Sequence, residues 1–227
     1  RIDVLEKQWR WILDRYPQDA RANNYYGELL YDYTGDGQRG FQYWLTAVGL
    51  DENCAPAHNN LAIHYFHSGN YAEGLSHLQR ALKLEEDNPD FLYNMAQMYL
   101  IHFDTLEGML KMSREKLYQE AMKMSKKAAD LAPDDFEIAQ DYAVNFYAAE
   151  NFGLEADWRE AALAWERTVP LARTEDERFY SLLNVGRAWM RAAQPENAVK
   201  PLEDALTLNR ESDVAKNLLA KAKGQPN

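Results

Sequence analysis

The chain has one cysteine, Cys54, in 227 residues, so no disulfide forms within it and its redox compartment is not fixed. No apolar run is long enough to span a bilayer. It has no glycine-rich phosphate loop, no serine on a nucleophile elbow and no carboxylate pair in a recognisable acid–base arrangement. Metal-ligand spacing is thin. His64 and His67 stand at i,i+3, and Cys54 and His58 at i,i+4, but no third and fourth ligand follows at a recognised interval. No metal and no cofactor is therefore expected. Positive charge is in deficit: 25 Lys and Arg stand against 36 Asp and Glu, a net charge of −11. One short basic stretch in an acidic chain makes a poor phosphate footprint, which argues against nucleic acid. The first residue is not Met, and the first residues already read as helix. A longer parent protein is expected, soluble, and cytoplasmic before secreted or anchored.

What the chain has in quantity is a period. One copy of 34 residues runs from Ala55 to Asn88, with Leu61, Ala62, Tyr65, Gly69, Asn70, Tyr71, Gly74, Leu78 and Ala81 as its pattern. A small residue in a first helix is followed by a small, large, small triplet in a second. Ala62 goes with Gly74, Leu78 and Ala81. Gly27 goes with Gly40, Trp44 and Ala47, and Ala96 with Ala121, Ser125 and Ala128. Ala143 goes with Ala161, Trp165 and Thr168, and Gly186 with Ala198, Leu202 and Ala205. Spacing of four then three puts each triplet on one helical face. Small residues let two helix axes approach, and the large one fills the gap between layers.

This pattern resembles the tetratricopeptide repeat, a pair of antiparallel helices per copy. The resemblance implies an all-α, right-handed superhelical solenoid of antiparallel pairs with about twelve helices. We expect one domain: a half repeat at 1–19, repeats at 20–54, 55–88, 89–135, 136–178 and 179–212, and a capping helix and tail at 213–227. Leu5, Trp9 and Ile12 should form the packing face of the half repeat, with Trp11 off that face and free for upstream sequence or a second copy. Val214, Leu218 and Leu219 should be the apolar side of the cap.

Two copies depart from the period. Tyr99 and Ala121 lie 22 residues apart where nine are expected, an insertion of 13 around 102–117. Phe146 and Ala161 lie 15 apart, six more than the period, around 149–157. Ser113 reads as an N-cap from which a long second helix starts early. Six of the seven methionines (Met95, Met98, Met109, Met112, Met122, Met124) fall in the third copy, as core filler or as an adaptable surface. Lys111 to Lys127 carries six basic and two acidic residues, a local +4 that leaves −15 on the rest. Lys116, Glu120, Lys123 and Lys127 read as one solvated face, with Lys116 and Glu120 at pairing distance. Acids gather at the turns: Asp51, Glu52, Glu85, Glu86, Asp87, Asp134, Asp135, Glu175, Asp176, Glu177, Glu211 and Asp213. Helix capping is one use for them; an acidic ridge steering a basic partner is the other.

The resemblance also implies that first helices line a concave groove. The groove residues would be Asn24, Glu28, Tyr31 and Asp32, then Asn59, Ile63, Phe66 and His67. Tyr93, Gln97, Leu100 and Ile101 follow, then Gln140, Val144, Tyr147 and Ala148. Tyr180, Leu183, Arg187, Met190 and Arg191 complete the set. Aromatics with Asn, Gln and Arg suit a peptide-binding surface. The carboxylate clamp of chaperone-binding relatives is not expected in the first four copies. Asn60, Asn94 and Asn184 imitate its asparagine, but its cationic places hold Asn24, Asn59, Asp90 and Glu137. Arg187 and Arg191 stand four apart and are expected to pair with nearby acids. The implied function is a non-catalytic interaction module or scaffold, not an enzyme, for an unidentified protein or peptide, basic if the ridge steers it. The alternatives are the non-catalytic region of a larger enzyme or secretion or assembly machine, and a homo-oligomer built through the terminal faces.

Overall fold

Helices begin where the sequence offers a side-chain acceptor. Asp19, Asp36, Ser113, Asp135, Asp157, Thr174 and Ser212 each accept a hydrogen bond from a backbone N–H in the helix they precede. Thr174 and Glu177 close a capping box. The computed structural model describes residues 2–224, and these are helical with no strand among them. The chain divides into two compact units, Arg1–Met98 and Tyr99–Asn227.

The first unit holds α1 (Ile2–Arg15), α2 (Ala20–Glu28), α3 (Gly37–Leu50), α4 (Ala55–His67), α5 (Tyr71–Leu84) and most of α6 (Pro89–Ile101). α2 pairs with α3, and α4 with α5. The copy at 55–88 is thus a helix–turn–helix whose turn is carried by Gly69 at φ 79. The second unit contains α7 (Phe103–Leu110), α8 (Arg114–Leu131), α9 (Phe136–Asn151), α10 (Trp158–Thr168), α11 (Glu175–Arg191), α12 (Pro195–Leu208) and α13 (Asp213–Ala222). Here α8 packs on α9, α9 on α10, α10 on α11, and α11 on α12. The described residues form thirteen α-helices where about twelve were expected. The addition is α7, which lies wholly inside the first insertion.

The small–large–small reading is met at every position. All twenty residues of the five sets are buried. Gly27 and Gly40 show why a side chain is refused there. A Cβ on Gly40 would stand 2.7 Å from the Gly27 carbonyl oxygen, and one on Gly27 the same distance from Trp44 Nε1. The indole fills the gap instead and donates to the Asn24 carbonyl at 3.2 Å. Such contact at native packing density gives the helix pair its close approach.

Several expectations are corrected. Leu5 does not pack; it is 46% exposed, and α1 has no fully buried residue. Trp9 and Ile12 are half-buried, Trp9 lying 5.8 Å from the Tyr25 ring. Val214 is exposed, because the face of α13 that packs is centred on Ala215 one position later. Lys116 and Glu120 form no ion pair; in that turn Gln119 donates to Glu115 at 3.2 Å. Met95 and Met98 are core, while Met109 is exposed. No helix among the described residues is long and apolar enough to cross a membrane. Trp11 is 64% exposed.

Candidate functional site

In the first unit the first-helix positions are tied by buried amides. Asn60 Nδ2 donates to Asn24 Oδ1 and to Glu28 Oε1, each at 3.0 Å. Asn94 Nδ2 donates to Asn59 Oδ1 at 2.9 Å. These bonds run from α2 to α4 and from α4 to α6, so asparagine side chains set the register of three successive first helices. Asn24 and Asn59 are consequently buried and committed to the scaffold, not offered to a ligand. Burial raises the Glu28 carboxyl above the ordinary range, Asn60 opposes that, and nearby Asp32 adds to it.

Phe66 is also core. It is 1% exposed and packs where a Gly74 side chain would otherwise stand, so it cannot anchor a peptide. Glu28, Tyr31, Ile63, Tyr93 and Gln97 remain half-buried, and Asp32 and His67 exposed. α2 runs on into a π-helical turn, Leu29–Tyr33. Tyr31 in that turn lies 4.9 Å from the Trp44 ring, and its hydroxyl is 3.4 Å from His67 Nδ1. The wide turn is closed by Asp36 N–H on the Leu30 carbonyl and by the Thr34 hydroxyl on the same oxygen. Nothing in the residue pattern distinguished this π turn from ordinary helix; π turns recur at functional places.

In the second unit the implied positions bring aromatics and arginines together. Tyr147 meets Trp158 edge-on at 5.1 Å, and Tyr180 meets Trp165 at 5.4 Å. The Arg191 guanidinium stands 4.3 Å over the Trp158 ring and 5.3 Å from Tyr147, and pairs with Glu150 at 2.5 Å. Among the described residues Arg187 does not pair with an acid as expected; it donates to Asn184 Oδ1 at 3.2 Å. The Tyr147 hydroxyl and Trp165 Nε1 are both buried. Burial raises the Tyr147 pKa, while Arg187, Arg191 and the Trp165 side chain hold it down. Gln140 and Ala148 are half-buried, Val144 and Tyr180 exposed, and Leu183 buried; Met190 is half-buried. Leu100 is buried and Ile101 is 65% exposed. Trp158 was missed because it opens a second helix, after the six extra residues.

Titratable groups elsewhere do not form a metal centre. Among the described residues no three His, Cys, Asp or Glu side chains come together to hold an ion. His58 and His77 do meet, Nδ1 to Nδ1 at 2.8 Å, while His58 Nε2 donates to the Glu52 carbonyl at 3.1 Å. His58 Nδ1 must therefore accept and His77 Nδ1 donate, so one proton is shared between the rings. Of the turn acids, Asp135 and Glu177 act as caps and Asp51 binds the Asn53 N–H.

Residues 55–88 match the tetratricopeptide repeat family. No curated protein matches the sequence. Solved structures do match. YrrB, described as a tetratricopeptide-repeat protein with an unusual peptide-binding site, is 16% identical, with 92% of this chain and 96% of that one aligned at a TM-score of 0.62. PilF of Pseudomonas aeruginosa is 15% identical over 97% of this chain and 90% of that one, at 0.64. MamA is 14% identical over 93% and 98%, at 0.60. At such identities the likeness is one of fold.

Proposed function

We propose that this chain, a tetratricopeptide-repeat protein by its matched copy at 55–88 and by its fold, is a non-catalytic module that binds a protein or peptide on its first-helix faces. The observation that carries this is the state of those faces. Once the buried amides and Phe66 are set aside, successive first helices still present Glu28, Tyr31, Ile63, Tyr93 and Gln97 in one unit. Gln140, Val144, Tyr147, Arg187 and Arg191 are presented in the other. Arg187, half-buried and with no acid partner among the described residues, leaves a cation for a ligand to satisfy. Aromatics and arginines usually dominate interface energy. That YrrB is described by a peptide-binding site is consistent with this reading. The test is capture of a partner, followed by titration. Val144→Asp with Arg187→Ala should weaken binding at least about tenfold, whereas Lys123→Ala with Lys127→Ala should not. Equal affinity for both variants would reject the reading.

A second reading, self-association, rests on α1. Its Val4, Leu5 and Trp11 are 58%, 46% and 64% exposed, an apolar face that a second copy could cover. Light scattering against concentration tests it. The parent should associate and Trp11→Glu should not; a monomer at every concentration rejects it.

A further inference from the structure

The two insertions are far apart in the repeat pattern but meet in space. Phe103 at the start of α7 stacks on Phe152 beyond the end of α9, ring centroids 3.7 Å apart. Arg114 Nε donates to the Phe152 carbonyl at 3.2 Å, and its guanidinium is held by Asp104 and Glu107. Gly153 turns the chain at φ 70, and the Leu154 N–H returns to the Ala149 carbonyl at 2.9 Å. The extra residues of 149–157 are thereby pinned beside α8.

Between that turn and α8 lies a cleft of about 480 Å³. Its floor is apolar: Tyr118, Met122, Phe146 and Leu154. Its rim is acidic: Glu115, Glu155 and Asp157. Among the described residues none of the three acids makes an ion pair. Glu115 accepts from Gln119, and Asp157 caps α10 through the Glu160 N–H. No Lys or Arg lines the cleft; Arg114 and Lys126 nearby are held by Asp104, Glu107 and Glu160, while Lys116 and Lys123 on α8 and Arg159 on α10 lie outside the lining. The charge within the lining is therefore wholly acidic. Phe146 lies about 200° around α9 from Val144, so this cleft is on a different face from the first-helix positions.

We propose that this cleft is a second docking site, for a short basic peptide segment carrying an apolar anchor residue. The apolar floor takes the anchor, and the three carboxylates select Lys or Arg on either side of it and repel an acidic segment. The floor is held before binding: Tyr118 donates to the Asn145 carbonyl at 3.4 Å, and the Phe103–Phe152 stack fixes the turn. Little ordering is then needed on binding. The site stands independently of the first-helix reading.

The methionines report on both places. Met122 lines the cleft and Met190 lies on the first-helix face of α11. The probe is the synthetic peptide Arg-Arg-Leu-Phe-Arg-Arg, blocked at both ends, titrated into protein labelled with carbon-13 at the methionine methyls. The Met122 methyl should shift saturably, and the shift should weaken as salt rises. The same peptide with Glu for every Arg, or Ser for Leu and Phe, should leave Met122 unmoved. Leu154→Lys with Glu155→Lys should weaken binding at least about tenfold. Glu155→Gln, a milder change at an exposed turn residue, should weaken it measurably with an unchanged methyl spectrum. A still Met122, a shift at Met190 alone, or equal binding of the acidic analogue or to the variants overturns the proposal.

Discussion

Phe103 and Phe152 lie 3.7 Å apart and within 6° of parallel, and they join two insertions that the repeat pattern treats separately. The Arg114 guanidinium stands 5.0 Å from the Phe103 ring and completes the contact. Phe152→Ala should therefore release α7 as well as the turn that carries it. We expect a loss of about 2 kcal/mol, below that for a fully buried phenylalanine because Phe152 is half-buried. Amide exchange over 103–110 should quicken more than exchange over 175–191. Equal exchange in the two segments would mean that the stack does not hold α7.

The helix crossings should tolerate no added bulk. Ala62 is fully buried, and its carbonyl oxygen lies 3.2 Å from where a Gly74 Cβ would stand. Ala62→Leu should cost about 1–3 kcal/mol by overpacking. Gly40→Ala should cost a similar amount, since its Cβ would meet the Gly27 carbonyl oxygen at 2.7 Å. Denaturant midpoints measure both, and an unchanged midpoint for either would break the register.

That register was the most legible part of the sequence. A small–large–small face has one stable use, a close helix pair, so Gly27, Ala62, Ala96, Ala143 and Gly186 could be placed before any coordinates. The insertions were legible as lengths, and in Ser113, the N-cap from which the long α8 starts. α7 was not, because it packs through a contact with residues far along the chain, and local periodicity carries no sign of Phe152. The groove positions were legible as faces but not as exposures. Asn24, Asn59 and Phe66 lie at the expected places and are nevertheless taken up by neighbouring helices, a tertiary fact that one helix's pattern cannot hold. The π turn at Leu29–Tyr33 left no trace in residue type.

Glu28 should make stability fall as pH rises. Burial raises its carboxyl above the ordinary 4.5, with Asn60 opposing and Asp32 adding. Folding thus favours the protonated acid. That contribution is whole below 4.5 and is lost as pH rises through the raised value. Glu28→Gln keeps an oxygen for Asn60 and removes the titration. Between pH 4.5 and 7 the variant's denaturant midpoint should decline less than the parent's, and parallel curves would contradict the assignment.

The histidine pair should act in the opposite sense. Burial lowers the pKa of both His58 and His77 below 6.5; Arg80 lowers the first further, Glu52 raises it, His58 lowers the second, and Glu73 raises it. Folding favours the neutral rings, so their contribution is present above 6.5 and lost as pH falls through the depressed values. His64, also lowered by burial and by His67, adds to the same slope. His77→Gln should flatten the loss of stability between pH 6.5 and 5 without abolishing it. An unchanged slope would show that the shared proton carries no linkage.

The central claim is that partners are held on the first-helix faces. Site-specific photo-crosslinking reads this directly, with a benzophenone amino acid placed singly at Val144, Tyr180 or Lys123. Val144 and Tyr180 are 38% and 42% exposed on those faces, and Lys123 is exposed on α8, a second helix. In the parent cell's extract the account predicts the same discrete adduct from Val144 and Tyr180, and that adduct is not formed from Lys123. An adduct from Lys123 with none from Val144 or Tyr180 would contradict it.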